Sequence, residues 1–163
     1  MSNNVSEIEA LIRDAFRDVT LGDGIGLYEA RGMDDYADPR RLAKLRVADE
    51  KEDWQSISAR ALNDCAVSLS FFDEAGMRFH LPAFLIASLQ LDEDATVDFD
   101  LFFHLIEAMD PRAECSFLTV DQKYAVRQFL LLFDPDITSD RHALAHGLAT
   151  RWRTDRPDIE ATK

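Results

Sequence analysis

Met77-Arg-Phe-His-Leu-Pro-Ala-Phe-Leu-Ile-Ala-Ser-Leu89 is the most apolar segment of the chain and the natural centre of its core. From Phe84 to Leu89 it is apolar nearly all round, the pattern of a helix packed on every side. Pro82 suits the first turn of such a helix, where its missing N–H would have had no intrahelical partner anyway. The reading therefore starts the helix at position 82. Short apolar runs also read as strands, so a β-hairpin pairing 67–72 with 77–81 competes with it. Just upstream, Phe71-Phe72-Asp-Glu-Ala-Gly76 reads as a helix end and a turn, with Gly76 free to take a positive φ.

Working outward towards the N-terminus, Ser58 is placed to cap a helix from Ala59 that carries Ala61, Leu62, Cys65, Ala66 and Leu69. The charged stretch Ala48 to Asp53 reads as exposed, with Trp54 anchoring the chain back onto the core. Asp38-Pro39 reads as an N-cap followed by proline at the first helical position, opening a helix to about Arg46. At the start of the chain, Ser6 and Glu9 form a capping box ahead of an apolar stripe of Ile8, Leu11, Ile12, Ala15, Phe16 and Val19. Gly22-Asp-Gly24-Ile-Gly26 then ends that helix. These glycines follow a helix and not a strand, and no Lys or Thr comes after them, so they make a turn and not a phosphate cradle.

Working outward in the other direction, an acidic loop around Asp92 leads to a helix over Phe99–Met109, closed by Asp110-Pro111. Thr119 is placed to cap a helix from Val120 to Leu132, and Asp134-Pro135 breaks the chain. Ser139 or Asp140 then caps a last helix with Leu144, Leu148 and Trp152 on its inner face. The expected fold is all-α: one compact domain over residues 1–153 with about six or seven helices, a minor hairpin being the only β alternative. A polar tail over 154–163 follows.

Composition agrees with a packed domain. The 163 residues are 47% hydrophobic and include 11 Phe, 3 Tyr and 2 Trp. A chain of about 150 residues buries roughly 68–70% of its unfolded surface without help from metals or disulfides. Cys65 and Cys115 suggest neither a disulfide framework nor a CxxC site, and no basic cluster stands beside them to activate a thiol. The opening residues have neither the basic nor the apolar part of a signal peptide. Leu81–Leu89, the longest apolar run, is about half the ~20 residues that cross a bilayer. A cytoplasmic location is expected.

Two blocks carry a resemblance. Phe71-Phe-Asp-Glu-Ala-Gly-Met-Arg-Phe-His-Leu-Pro-Ala-Phe-Leu85 and Phe117-Leu-Thr-Val-Asp-Gln-Lys-Tyr-Ala-Val-Arg-Gln-Phe-Leu130 resemble a family of small acidic bacterial proteins whose domain has no known function. The resemblance implies no activity, cofactor or site residue.

The formal net charge is −13. It is uneven: residues 61–110 hold a net −9, with Arg78 their only cation, while 31–60 and 111–163 are each balanced. Such a chain is poorly suited to a phosphate backbone, so neither nucleic acid nor membrane is expected as a partner. Asp92, Glu93, Asp94, Asp98 and Asp100 are either a solubilising loop or a surface that steers a basic protein. Their spacing lacks the central glycine and closing glutamate of a calcium loop. Arg78 and His80, if extended, would point the same way and form a small anion site beside a helix N-terminus. The alternative is that Arg78 pairs with a nearby Asp and organises the turn. His142 and His146 stand four apart on the last helix, where Asp136 or Asp140 could add an oxygen ligand. Position 143 is Ala, so the zinc-protease motif is absent and no metal or other cofactor is expected. The sequence points to a non-enzymatic interaction module, antitoxin-like or immunity-like in one form. An enzyme built on His142/His146 or Arg78/His80 is the alternative.

Overall fold

A computed structural model describes residues 2–90, 101, 104 and 117–132. Six α-helices and two 3-10 turns, joined by loops, have their bounds within the described residues, and no strand occurs among them. The helices are α1 (Ser2–Ala15), α2 (Leu27–Asp34), α3 (Pro39–Ala48), α4 (Ala59–Asp64), α5 (Glu74–Gln90) and α6 (Val120–Leu130). The 3-10 turns are Trp54–Ser56 and Ala66–Ser70. The fold is all-α. The chain divides into two compact units, Phe16–His104 and a second formed by residues 1–15 with 105–163.

In the second unit, α1 packs on α6. Ile8 and Ile12, one turn apart, are buried on α1, and Ala125, Val126, Phe129 and Leu130 are buried on α6. Thr119 caps α6 reciprocally: Gln122 N–H donates to Thr119 Oγ1 (3.2 Å) and Thr119 N–H donates to Gln122 Oε1 (3.0 Å). The Gln122 amide also donates to the carbonyl of Ala15 (3.3 Å), supplying a partner to the open end of α1. The capping box expected at Ser6 and Glu9 is not the helix start, because α1 begins four residues earlier, at Ser2. Residues three apart share a helix face in the interior as well as at the cap. Glu9 instead pairs with Arg13 one turn on (2.7 Å).

The Phe16–His104 unit is organised by α5. Its expected start at Pro82 is corrected: the helix begins at Glu74, and Pro82 lies inside it. Asp73 provides the actual start, accepting from Gly76 N–H (2.8 Å) and from Ile25 N–H in the glycine loop (3.0 Å). The interior proline removes one i→i−4 bond. Burial on every side offsets that loss: Phe79, Leu81, Phe84 and Leu85 are all at most 1% exposed. The competing hairpin is also excluded, since 66–70 is a 3-10 turn and 74–90 is helix. Gly76 does not take a positive φ; it is helical, and a Cβ there would stand 2.5 Å from the carbonyl oxygen of Ile25. Close backbone approach, not a turn, requires glycine at that position.

Asp38 caps α3 as expected, accepting from Arg40 N–H (2.8 Å) and Arg41 N–H (3.0 Å). Ser58 caps α4 through Ala61 N–H (3.2 Å), but α4 stops at Asp64 and gives way to the 3-10 turn. Trp54 anchors its segment: it is 2% exposed and its indole N–H donates to the carbonyl of Phe16 (2.8 Å). Helix α2 follows directly on the glycine loop, over residues for which the sequence analysis placed no element. The expected helix over 99–109, the last helix and the tail lie outside the described residues.

Candidate functional site

A cavity of about 290 Å³ opens in the Phe16–His104 unit. Leu27, Ala48, Ile57 and Ala61 give it apolar walls, and Tyr28, Asp49, Glu50, Ser56, Ser58 and His80 give it polar ones. The volume is near the lower end for small-molecule sites. The elements that build it meet because α2 is capped from a distance. Its N-cap residue, Gly26, has no side chain to offer. Asp49, just past the end of α3, takes that role: Oδ1 accepts from Tyr28 N–H (2.7 Å) and Oδ2 from Glu29 N–H (3.2 Å). A Cβ at residue 26 would overlap the Asp49 carboxylate, so glycine there is a condition of the cap. Glu29 then clasps Arg46 with two bonds, Nε to Oε2 (2.8 Å) and Nη2 to Oε1 (2.7 Å), tying α2 to α3.

Asp49 is thus buried, at 7% exposure, and is the exception within the expected exposed run: Ala48, Glu50, Glu52 and Asp53 are exposed and Lys51 is half-buried. Burial raises its carboxyl above the ordinary range, and the amides of Tyr28 and Glu29 partly oppose this. Glu50 sits beside it on the rim. One oxygen, Oε1, accepts from the amides of Lys51, Glu52 and Asp53 (2.9–3.0 Å), and these bonds hold its carboxyl below the usual range. Ser58 Oγ is engaged by Ala61 N–H, and Ser56 donates to the carbonyl of Asp53 (2.8 Å).

His80 is different. It is 0% exposed, and its ring stacks on Phe72 (centroids 4.4 Å apart, 3° between planes) with its neighbour Phe79 edge-on at 5.0 Å. Nδ1 lies 2.8 Å from the carbonyl oxygen of Gly76 one turn back. A carbonyl accepts only from N–H, so in the neutral ring Nδ1 carries the proton and Nε2 presents a lone pair. Burial, against the pull of the Gly76 carbonyl and the Asp73 charge, takes the imidazole down to about 4, so the neutral form holds at pH 7. Nε2 has no hydrogen-bond partner among the described residues.

Of the residues singled out from sequence, Arg78 and His80 lie on α5. Two residues apart on a helix, they face about 200° apart, so the shared face expected of an extended segment does not form. His80 joins the cavity, while Arg78 is not among its lining residues. Asp92, Glu93, Asp94, Asp98, Asp100, His142 and His146 lie outside the described residues, as do Asp136, Asp140 and Cys115. Cys65 is a buried free thiol raised above its ordinary value by burial. No group of three or more metal-ligating side chains occurs among the described residues. No described helix is long and apolar enough to cross a membrane.

Sequence reasoning missed Tyr28, Asp49 and Glu50. The available signal was Glu50-Lys-Glu-Asp-Trp54, an acidic residue ahead of several amides and a buried tryptophan, which is the composition of a capped turn. Comparison with curated proteins and with solved structures gives no match. The blocks at 71–85 and 117–130 do lie within a family match that runs over residues 4–156, and on that extent the chain belongs to the family of unknown function DUF6714.

Proposed function

We propose that the protein is a non-enzymatic binding module that recognises a basic protein partner. The observation that carries this reading is the charge of the cavity lining: Asp49 and Glu50 are present, with no Lys or Arg. The formal net charge of −13 and the net −9 over residues 61–110 have the same sign. Both cavity carboxylates already accept several backbone amides, which suits holding a shape more than shuttling a proton. Antitoxin-like or immunity-like masking of a basic enzyme is one form of this function, in a cytoplasm where Cys65 stays reduced.

The test compares wild type with a form in which Asp92, Glu93, Asp94, Asp98 and Asp100 are changed to Asn or Gln. Retained proteins from the source lysate are identified, and their association kinetics are measured against salt. A steering surface gives a basic partner whose on-rate falls by about 10- to 1000-fold on neutralisation and loses its salt dependence. The same partners at the same rates from both forms would remove the steering role.

A further inference from the structure

We propose that the cavity between α2, α4 and His80 is a binding site for an alkylammonium or guanidinium group, with Nε2 of His80 accepting one of its N–H bonds. Three features of the cavity converge on that chemistry. The first is the unfilled acceptor. Nδ1 of His80 is committed to the Gly76 carbonyl, which leaves Nε2 as a lone pair on a fully buried ring without a partner among the described residues. A buried acceptor left unsatisfied costs about 1–3 kcal/mol, so a ligand N–H at this position has a standing advantage over a purely apolar group. A ligand carbonyl or carboxylate has no donor to offer it.

The second feature is charge. Asp49 and Glu50 lie on the same cavity without a counter-cation in its lining. Their amide bonds orient them without neutralising them, so the field at the rim favours a cation and opposes an anion. The third feature is shape. Leu27, Ile57 and Ala61 supply apolar wall, and about 290 Å³ admits a short aliphatic chain carrying one cationic head. The stacking of Phe72 on the imidazole fixes the ring plane, so the acceptor is held in place before the ligand arrives.

The group could arrive free, as a small amine or guanidine, or as the Lys or Arg side chain of a protein. The inference shares only the sign of the charge with the partner reading, and its test needs no partner. Purified protein labelled with ¹⁵N in its imidazoles is titrated with n-butylammonium and with N-propylguanidinium; n-butanol and butyrate are the neutral and anionic controls. The expected result is an upfield movement of the His80 Nε2 resonance with either cation, saturating with a Kd of roughly 1 mM or below. Butyrate should leave it unmoved and n-butanol should bind more weakly.

Two variants locate the effect. Ala61→Phe fills the cavity while keeping the backbone N–H that bonds Ser58, so it should abolish the shift in a protein whose unliganded spectrum stays folded. Glu50→Gln should weaken cation binding by about 2- to 5-fold, the range of an exposed charge pair. Short capped peptides with one Lys or Arg separate the sources. Tighter binding of a peptide than of its free head group assigns the site to a partner's side chain, and equal or weaker binding assigns it to a free small molecule; both uphold the cavity. An Nε2 resonance that ignores both cations, responds equally to butyrate, or still shifts in folded Ala61→Phe would overturn the proposal.

Discussion

The cap that Asp49 provides to α2 can be measured through the glycine that makes room for it. Gly26 has φ −81° and ψ 172°, an ordinary extended conformation, so alanine there carries no backbone strain. Taken alone, Gly26→Ala should stabilise by about 0.4–1 kcal/mol, because it reduces the freedom of the unfolded chain. The structure reverses that sign, since the new Cβ would overlap the Asp49 carboxylate and drive it from the amides of Tyr28 and Glu29. Losing a helix cap costs about 0.5–2 kcal/mol, and forcing a group into filled space costs about 1–3 kcal/mol. Set against the gain of about 0.4–1 kcal/mol, the expected net loss is about 1–4 kcal/mol. In an Asp49→Ala background the obstacle is gone, and the same Gly26→Ala change should be neutral or stabilising by up to about 1 kcal/mol. The assay is urea unfolding of the four proteins of the double-mutant cycle, with slopes checked for constancy. The expected coupling, the difference between the two effects of Gly26→Ala, is about 1–5 kcal/mol. Additivity within about 0.5 kcal/mol would refute the distant cap and, with it, the reason that α2 forms.

His80 should make the protein acid-sensitive, since its pKa falls from 6.5 to about 4 on folding. A group depressed in the folded state contributes stability that is present above pH 6.5 and lost as pH falls towards 4; one pKa unit is about 1.4 kcal/mol, so the loss by pH 4 is about 3 kcal/mol. Unfolding free energies of wild type and His80→Phe, compared at matched pH, should differ by that slope; parallel pH profiles would contradict it. Asp49, raised on folding, has the opposite sign: its contribution is present below the ordinary carboxylate range and declines as pH rises through its folded value, so Asp49→Asn should gain on wild type with rising pH across that window. Phe84 is 0% exposed in the middle of α5, and Phe84→Ala should cost about 3–5 kcal/mol in denaturant unfolding. A loss below about 1 kcal/mol would place α5 at the periphery.

Features held by near neighbours in the chain are legible in residue order. Asp38-Pro39, Ser58 and Thr119 each bond an amide two or three residues on, so the starts of α3, α4 and α6 are legible from local order alone. The all-α class follows in the same way from the periodicity of α1 and the all-round apolarity of 84–89. Tertiary structure decided the features whose partners are far away in sequence. Pro82 carries a local preference for a helix start, but Asp73 holds α5 and the glycine loop together, and core burial outweighs the one bond that the proline removes. Gly26 and Gly76 read as turn residues, yet their reasons are the Asp49 carboxylate and the Ile25 carbonyl passing close by. Helix α2 was invisible because its cap comes from 23 residues beyond Gly26. The cavity was invisible for the same reason: Tyr28, Glu50 and His80 carry no shared motif, and only the packing of α2, the end of α3 and α5 brings them to one wall. Local hydrogen bonds leave their mark in residue order; an acceptor met across the fold does not.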